Sequence, residues 1–227
     1  MSSAAPPHEL DAILPAGLLA LERDWLPEAD GAAANGRTLW IAPRGVAARV
    51  SAATVLECGA SELGGCLRCL PAALPFGDDG VPRIVLQHAL DEQLELLPLL
   101  GECARVLRPG GELVVFGIEP ISAWHPWLRA RARRAGRRLR PRLPARLGAL
   151  LRRLGLDPVA CQGLGARWPG ARDDGTLAGT GGPLRAVYAL RARKASATVI
   201  PLRPRVLAPQ PAQGGLMPAR REMAGAA

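Results

Sequence analysis

The feature that most constrains the fold is a strand–helix–turn–strand pattern in the middle of the chain. Residues 83–90 (RIVLQHAL) are an apolar run of strand length, and residues 112–118 (ELVVFGI) are a second one. Between them, residues 92–107 have the periodicity of an amphipathic helix, and Pro109-Gly110-Gly111 ends that helix. Two strands joined through a helix run parallel with a right-handed crossover, so the pattern predicts an α/β sheet.

Shorter patterns of the same kind lie on both sides of this unit. Residues 10–26 have apolar side chains at helical spacing, with Pro15 as a break near the start. Residues 38–42 (TLWIA) and 54–58 (TVLEC) are short apolar runs that predict two further buried strands. The remaining predicted elements are a short helix at 47–52, a third short strand at 66–70, a helix at 143–154 and strands at 158–164 and 184–192.

The composition indicates one water-soluble domain with appendages. The 227 residues are 48% hydrophobic but only 4% aromatic, so the core must be built mainly from Leu, Val and Ala. No apolar run reaches the length of a membrane span, and residues 1–9 lack the charged and then apolar order of a signal peptide. An odd number of cysteines, five, indicates free thiols in a reducing compartment, so we expect a cytoplasmic protein.

Cys66 and Cys69 form a C-x-x-C pair. A structural zinc ribbon requires a second pair, which the sequence lacks. A thioredoxin-like redox pair opens a helix, whereas the residues around this pair look extended. We therefore interpret the two cysteines as small buried residues, and we expect no metal site.

An arginine-rich segment follows the central unit. Between Arg129 and Arg153, inclusive, lie eleven arginines and no acidic residue, and they contribute strongly to the formal net charge of +9. No aromatic residues are interleaved with these arginines, so the segment offers electrostatic attraction without groups that read bases. Three interpretations remain open: a solvated helix face, a contact surface for nucleic acid, or a patch for an anionic lipid surface.

Residues 74–120 resemble the core of the class I S-adenosylmethionine-dependent methyltransferases, and of their type-11 group in particular. The L-P-F turn at 74–76 precedes the first strand of the central unit, His88 lies near the end of that strand, and R-V-L-R-P-G-G at 105–111 leads into the next strand. A weaker similarity extends in order over residues 37–205. The resemblance implies a Rossmann-like three-layer α/β fold, whose sheet is mostly parallel with an antiparallel C-terminal strand.

The same resemblance divides the chain into three parts. Residues 1–36 form an N-terminal helix and linker, and residues 37–195 form the methyltransferase-like α/β domain. Residues 196–227 are basic and rich in Pro and Ala, and they lack the periodic apolar positions that would offset the entropy of ordering. We expect this last part to be a disordered tail.

The resemblance also implies a binding site for S-adenosylmethionine at the carboxyl ends of the strands. In the family a G-x-G-x-G motif follows the first strand, and Gly45 is the glycine that remains of it here. Glu57, at the end of the second strand, would accept hydrogen bonds from both ribose hydroxyls; the alternative is a surface glutamate at a strand end. Gln87 and His88 would lie on the rim of the same site.

His88 is the candidate catalytic residue. As a general base it could remove a proton from a substrate hydroxyl or amine during methyl transfer. The alternative is a histidine that hydrogen-bonds the backbone of a loop. Trp124 and Trp127 follow the central unit, where they could cover a substrate as an apolar lid or anchor a loop to the core.

Two functional hypotheses follow. The first is an S-adenosylmethionine-dependent methyltransferase that acts on an unknown acceptor. The second is a catalytically inactive methyltransferase-fold protein that binds or scaffolds a partner without the cofactor, and that could contact nucleic acid through the arginine-rich segment. The degenerate glycine motif favours the second hypothesis, because Pro43 and Arg44 stand within it. The acidic residue that precedes the L-P-F turn in the family is also absent near Leu70.

Overall fold

A mixed sheet of seven strands forms the centre of the fold. The computed structural model describes residues 13–29, 38–43, 54–59, 62–91, 95–169 and 184–196. The strands are β1 (Thr38–Pro43), β2 (Thr54–Cys58), β3 (Leu63–Gly65), β4 (Val81–Gln87), β5 (Leu107–Ile118), β6 (Leu156–Leu164) and β7 (Val187–Lys194). They lie side by side in the order β3-β2-β1-β4-β5-β7-β6.

Most of these strands run in one direction. β1 pairs in parallel with β2 and with β4, and β4 pairs in parallel with β5. β7 is antiparallel to both of its neighbours, so β6 runs with the parallel set. The predicted parallel sheet with an antiparallel C-terminal strand is therefore confirmed.

The third strand differs from its prediction. It spans Leu63–Gly65 instead of residues 66–70, and it pairs antiparallel with β2. The backbone N–H of Gly59 donates to the carbonyl of Glu62 over 2.8 Å, so the chain turns back directly after β2. The predicted segment contributes only isolated bridges.

Helices cover both faces of the sheet: α1 (Ala16–Ala29), α2 (Leu96–Val106), α3 (Trp124–Arg134) and α4 (Pro144–Arg153). Side chains alternate along the central strands. Ile84 and Leu113 belong to the core cluster beneath α2 and α4, whereas Val85 and Val114 belong to the cluster beneath α1 and α3. The result is the expected three-layer arrangement of helices, sheet and helices.

α3 is a helix that the sequence analysis did not predict as an element, although a solvated helix face was one of the three interpretations of the arginine-rich segment that begins at Arg129. Trp124, Leu128 and Ala132 are buried on its inner face at intervals of four residues. Arginines occupy the rest of its second half, so the apolar stripe is narrow. The four-residue spacing is the sequence signal that would have identified the helix.

Several predictions fall outside the described residues. They are the short helix at 47–52, Gly45, residues 30–36 of the N-terminal linker and the tail beyond Ser196, and they remain predictions. Among the described helices, none is long and apolar enough to cross a membrane.

Arg105 joins the two motifs that carried the family resemblance. Its guanidinium donates to both carboxylate oxygens of Glu102, at 2.8 and 2.6 Å. It also donates to the carbonyls of Leu74 (3.1 Å) and Phe76 (3.0 Å) in the L-P-F turn. The hydrogen bonds from Arg105 lower the pKa of Glu102, which also accepts from the backbone N–H of Leu74. The motif residues thus fasten α2 to the turn before β4, and their role is to hold the fold.

Gly117 in β5 provides the space for the ring of Tyr188 in β7, its cross-strand partner. A Cβ at position 117 would overlap the phenol of Tyr188, which is only 1% exposed and has no open space to move into. We expect Gly117→Ala to lower the free energy of unfolding by about 1–3 kcal/mol, as overpacked cores do. Urea denaturation of the two proteins measures the difference.

Gly101→Ala is the matched control for that substitution. A Cβ at Gly101 meets no atom within 4 Å, and the position lies within α2, where alanine is favoured over glycine. This variant should be as stable as the parent or more stable. Equal denaturation midpoints for Gly117→Ala and the parent would contradict the proposed overlap.

Candidate functional site

The carboxyl ends of β1, β2, β4 and β5 lie at one edge of the sheet, where α/β proteins bind their ligands. In the register of the sheet, Ala42 of β1 lies opposite Glu57 of β2, and Ile41 lies opposite Leu86 of β4. The register therefore places Glu57 and the adjoining end of β4 at the same edge, on either side of β1.

Glu57 is half-buried one residue before the end of β2. The neighbouring strand presents Gly65, whose φ of +102° is a conformation that glycine adopts readily. A Cβ at Gly65 would lie 3.0 Å from the carbonyl oxygen of Val55 and 3.6 Å from Cγ of Glu57, so a side chain there would crowd β2 beside Glu57. A carboxylate in this position can accept hydrogen bonds from two adjacent hydroxyls.

Gln87 and His88, at the end of β4, are completely buried in a network of polar side chains. Glu22 of α1, which is also 0% exposed, contacts both of them. Its Oε2 accepts from Nε2 of Gln87 over 2.6 Å, and its Oε1 lies 2.8 Å from Nε2 of His88. Trp40 of β1 donates from Nε1 to Oε1 of Gln87 over 3.1 Å. The polar atoms of Gln87 are therefore bonded within the protein.

Asp91 lies on the other side of His88. Its Oδ2 is 2.8 Å from Nδ1 of His88 and accepts from the backbone N–H of Ile118 over 2.9 Å. His88 has a φ of +53°, a left-handed conformation that costs residues other than glycine about 1–2 kcal/mol. The two carboxylates thus hold both the ring and an unfavourable backbone conformation in place.

The same carboxylates keep His88 protonated. Burial by itself lowers the pKa of His88, but the negative charge of Glu22 and the hydrogen bonds to Asp91 and Glu22 outweigh it and raise the pKa to about 10. His88 is then an imidazolium at neutral pH, with both ring nitrogens bonded to carboxylates. A general base needs an unprotonated nitrogen within reach of the substrate. The role of His88 as a general base stays a prediction, and this geometry does not favour it. The alternative was a hydrogen bond from the ring to a loop backbone, but the ring nitrogens lie beside the side chains of Glu22 and Asp91.

Trp124 anchors α3 to the core. It is 7% exposed, and its Nε1 donates to the carbonyl of Ala166 over 2.7 Å. The ring of Trp127 meets it edge-on with centroids 5.5 Å apart, and the guanidinium of Arg131 lies 4.8 Å from the Trp127 ring. These contacts favour the anchoring role over an apolar lid for Trp124.

Cys66 and Cys69 are free thiols. Their interpretation as two buried residues is wrong for Cys66, which is exposed, because the chain turns at the surface after β3. Burial, and then the neighbouring Cys66, raise the pKa of Cys69 and so disfavour its reactive thiolate. In the described ranges no group of His, Cys, Asp or Glu side chains could hold a metal ion.

Comparisons with known proteins agree with the architecture. No family model matches the chain, and no curated protein matches it in sequence. A solved S-adenosylmethionine-dependent methyltransferase from Thermotoga maritima superposes with a TM-score of 0.55 at 15% identity, covering 78% of this chain and 89% of that one. Another from Archaeoglobus fulgidus superposes with a TM-score of 0.50 at 14% identity, covering 78% of this chain and 92% of that one. The strand order and these likenesses show that the chain has the class I methyltransferase fold.

Proposed function

We propose that this chain is an S-adenosylmethionine-dependent methyltransferase of the type-11 group, acting on an acceptor that is not identified. The observation that carries the proposal is the position of Glu57. It is a half-buried carboxylate at the carboxyl end of β2, directly beside the end of β1. Such a carboxylate suits the two hydroxyls of the cofactor's ribose.

The cofactor, when bound, supplies a methyl group that is already activated, so the protein has to position the reactants and needs no strong base. Glu57 would hold the ribose, and Gly45 would let the backbone approach the cofactor closely. Gln87 and His88 do not fit the direct contacts first expected of them, because the protein itself occupies their polar atoms. They would instead form a rigid support beneath the site.

A second candidate function is a protein that keeps the fold without binding the cofactor. It is favoured by the same buried network, which removes Gln87 and His88 from any ligand. Pro43 at the end of β1 also lacks the backbone N–H that a ligand could use. Such a protein would bind or scaffold a partner, nucleic acid included. For either function, the free cysteines support the proposed cytoplasmic location.

Isothermal calorimetry with S-adenosylmethionine and S-adenosylhomocysteine separates the two candidates. If the chain is a methyltransferase, the parent protein should bind one or both in the micromolar range. Glu57→Ala should weaken that binding by about ten- to a hundredfold, because it removes hydrogen bonds to a charged acceptor.

Glu62→Ala is the control, since Glu62 is an exposed carboxylate in the turn that follows β2. Its binding constants should match those of the parent protein. The absence of binding by the parent at millimolar ligand would overturn the methyltransferase proposal in favour of the second candidate.

A further inference from the structure

A cleft of about 650 Å³ lies between α3 and the segment that follows it. We call it the arginine cleft, because its walls carry His125 together with Arg129, Arg133, Arg137, Arg138 and Arg140. Among the described residues that line it, none is acidic. The volume is that of a site for a small molecule.

Most of the positive charge of the arginine cleft is not neutralised by ion pairs within the described part of the chain. Arg129, Arg133, Arg138 and Arg140 form no ion pair with any described residue. Arg105, by contrast, pairs with Glu102 and Asp78. Like charges gathered around one concave surface repel each other, so an anion bound among them would be stabilised.

Local backbone contacts bring the two arginine-bearing walls together. After α3 the chain reverses at Gly136, whose φ is +68°, and the N–H of Arg137 donates to the carbonyl of Ala132 over 2.8 Å. The N–H of Arg140 then donates to the carbonyl of Asp91 over 2.9 Å. The second wall is thus fixed to the loop that follows β4.

The position of the arginine cleft within the fold suits a ligand site. Pro120, which also lines it, follows directly after β5, and Asp91 lies in the loop after β4. The arginine cleft therefore lies at the carboxyl ends of the two central strands, where open α/β sheets bind small molecules.

We propose that the arginine cleft binds a small molecule bearing a phosphate or diphosphate group. The planar guanidinium fork donates two parallel hydrogen bonds to phosphate oxygens, and several forks around one concavity match a diphosphate. A nucleic-acid surface would instead follow a strand and carry several stacking aromatics among its cations, whereas His125 is the one aromatic ring among the described residues that line this cleft. The proposal stands without the cofactor; if the proposed function also holds, it makes the methyl acceptor an anionic, phosphate-bearing compound.

Calorimetric titration with inorganic pyrophosphate at low salt tests this binding directly. We expect saturable binding of one pyrophosphate per chain. The double variant Arg133→Gln and Arg138→Gln should weaken it by about ten- to a hundredfold, because two charged donors are lost. The control is Arg152→Gln with Arg153→Gln, which removes the same charge from two exposed residues at the end of α4 and should leave the binding constant unchanged. Circular dichroism establishes that both variants are folded.

Two further titrations distinguish other polyanions. One outcome is that a single-stranded oligonucleotide binds the protein, whereas pyrophosphate neither binds nor competes with it. If both double variants also bind the oligonucleotide more weakly and to the same extent, the proposal is overturned in favour of a nucleic-acid surface. Binding of vesicles that contain an anionic lipid, without binding of pyrophosphate, would overturn it in favour of a membrane surface. If none of the three ligands binds, the proposal is overturned and the arginines form a solvated helix face.

The result is independent of the test for the cofactor. Pyrophosphate binding by a protein that does not bind S-adenosylmethionine would remove the proposed function and leave the anion site in place. Cofactor binding without pyrophosphate binding would remove the anion site and leave the proposed function in place.

Discussion

Replacing Glu22 by alanine is expected to lower the free energy of unfolding by about 3–5 kcal/mol, the usual cost of removing one partner from a buried ion pair. The carboxylate is 0% exposed and accepts from Gln87 and His88 at 2.6 and 2.8 Å. Without it, the amide of Gln87 loses an acceptor, and the imidazolium of His88 loses one of its two counter-charges where water cannot replace it. Urea denaturation at pH 7 measures the loss.

Asp24→Ala is the control, because Asp24 is an exposed carboxylate on the same helix. It should change the free energy of unfolding by no more than about 0.5 kcal/mol. Glu22→Gln keeps the shape of the side chain and one acceptor oxygen, so its free energy of unfolding should lie between those of Glu22→Ala and Asp24→Ala. If Glu22→Ala were as stable as Asp24→Ala, the network could not be a principal contact between α1 and the sheet.

The central part of the fold could be predicted because its signals are local. The residues that form β4, α2 and β5 carry their periodicity within short windows, and the structure has these elements in the predicted order. The L-P-F turn and Arg105 carry the resemblance to the methyltransferase fold for a related reason. Their hydrogen bonds fasten consecutive elements of this unit to each other, so the residues that produce the resemblance are those that hold the fold.

β3 and α3 could not be predicted in the same way. β3 depends on the turn between Gly59 and Glu62, whose backbone hydrogen bond leaves little trace in composition. α3 carries its buried residues on a narrow stripe among arginines, so its one local signal, the four-residue spacing of Trp124, Leu128 and Ala132, is weak. In both cases contacts with the sheet decide the structure more than local propensity does.

The polar network of the site was beyond the sequence patterns, because its partners are far apart along the chain. Gln87 and His88 were recognised at the end of β4, but Glu22 lies on a helix that no family motif includes. One signal was present. Leu18, Glu22 and Leu26 are spaced by four residues, and all three are buried, so an acidic residue stands within the apolar stripe of α1. An acid in such a stripe indicates a buried partner of opposite charge.

The stability of the protein is expected to fall as the pH rises from about 7 towards 10, because of His88. Its pKa is raised from 6.5 to about 10 in the folded chain, so its contribution to stability is complete below pH 6.5 and is lost as the pH approaches 10. Between these values the folded chain holds a proton that the unfolded chain has released. The free energy of unfolding should therefore drop by about 1.4 kcal/mol per pH unit from this group.

The contribution of His88 is isolated by comparing the parent with His88→Asn across pH 7 to 9.5. Asparagine tolerates the left-handed backbone at this position and does not titrate, so the variant should be less stable at pH 7 but lack the slope due to position 88. All other titratable groups are present in both proteins, so the difference between the two curves isolates the contribution of position 88. Glu22→Ala should flatten the curve as well, since the charge of Glu22 is a main cause of the raised pKa of His88. Parallel curves for the parent and His88→Asn would contradict the raised pKa of His88 in the folded chain.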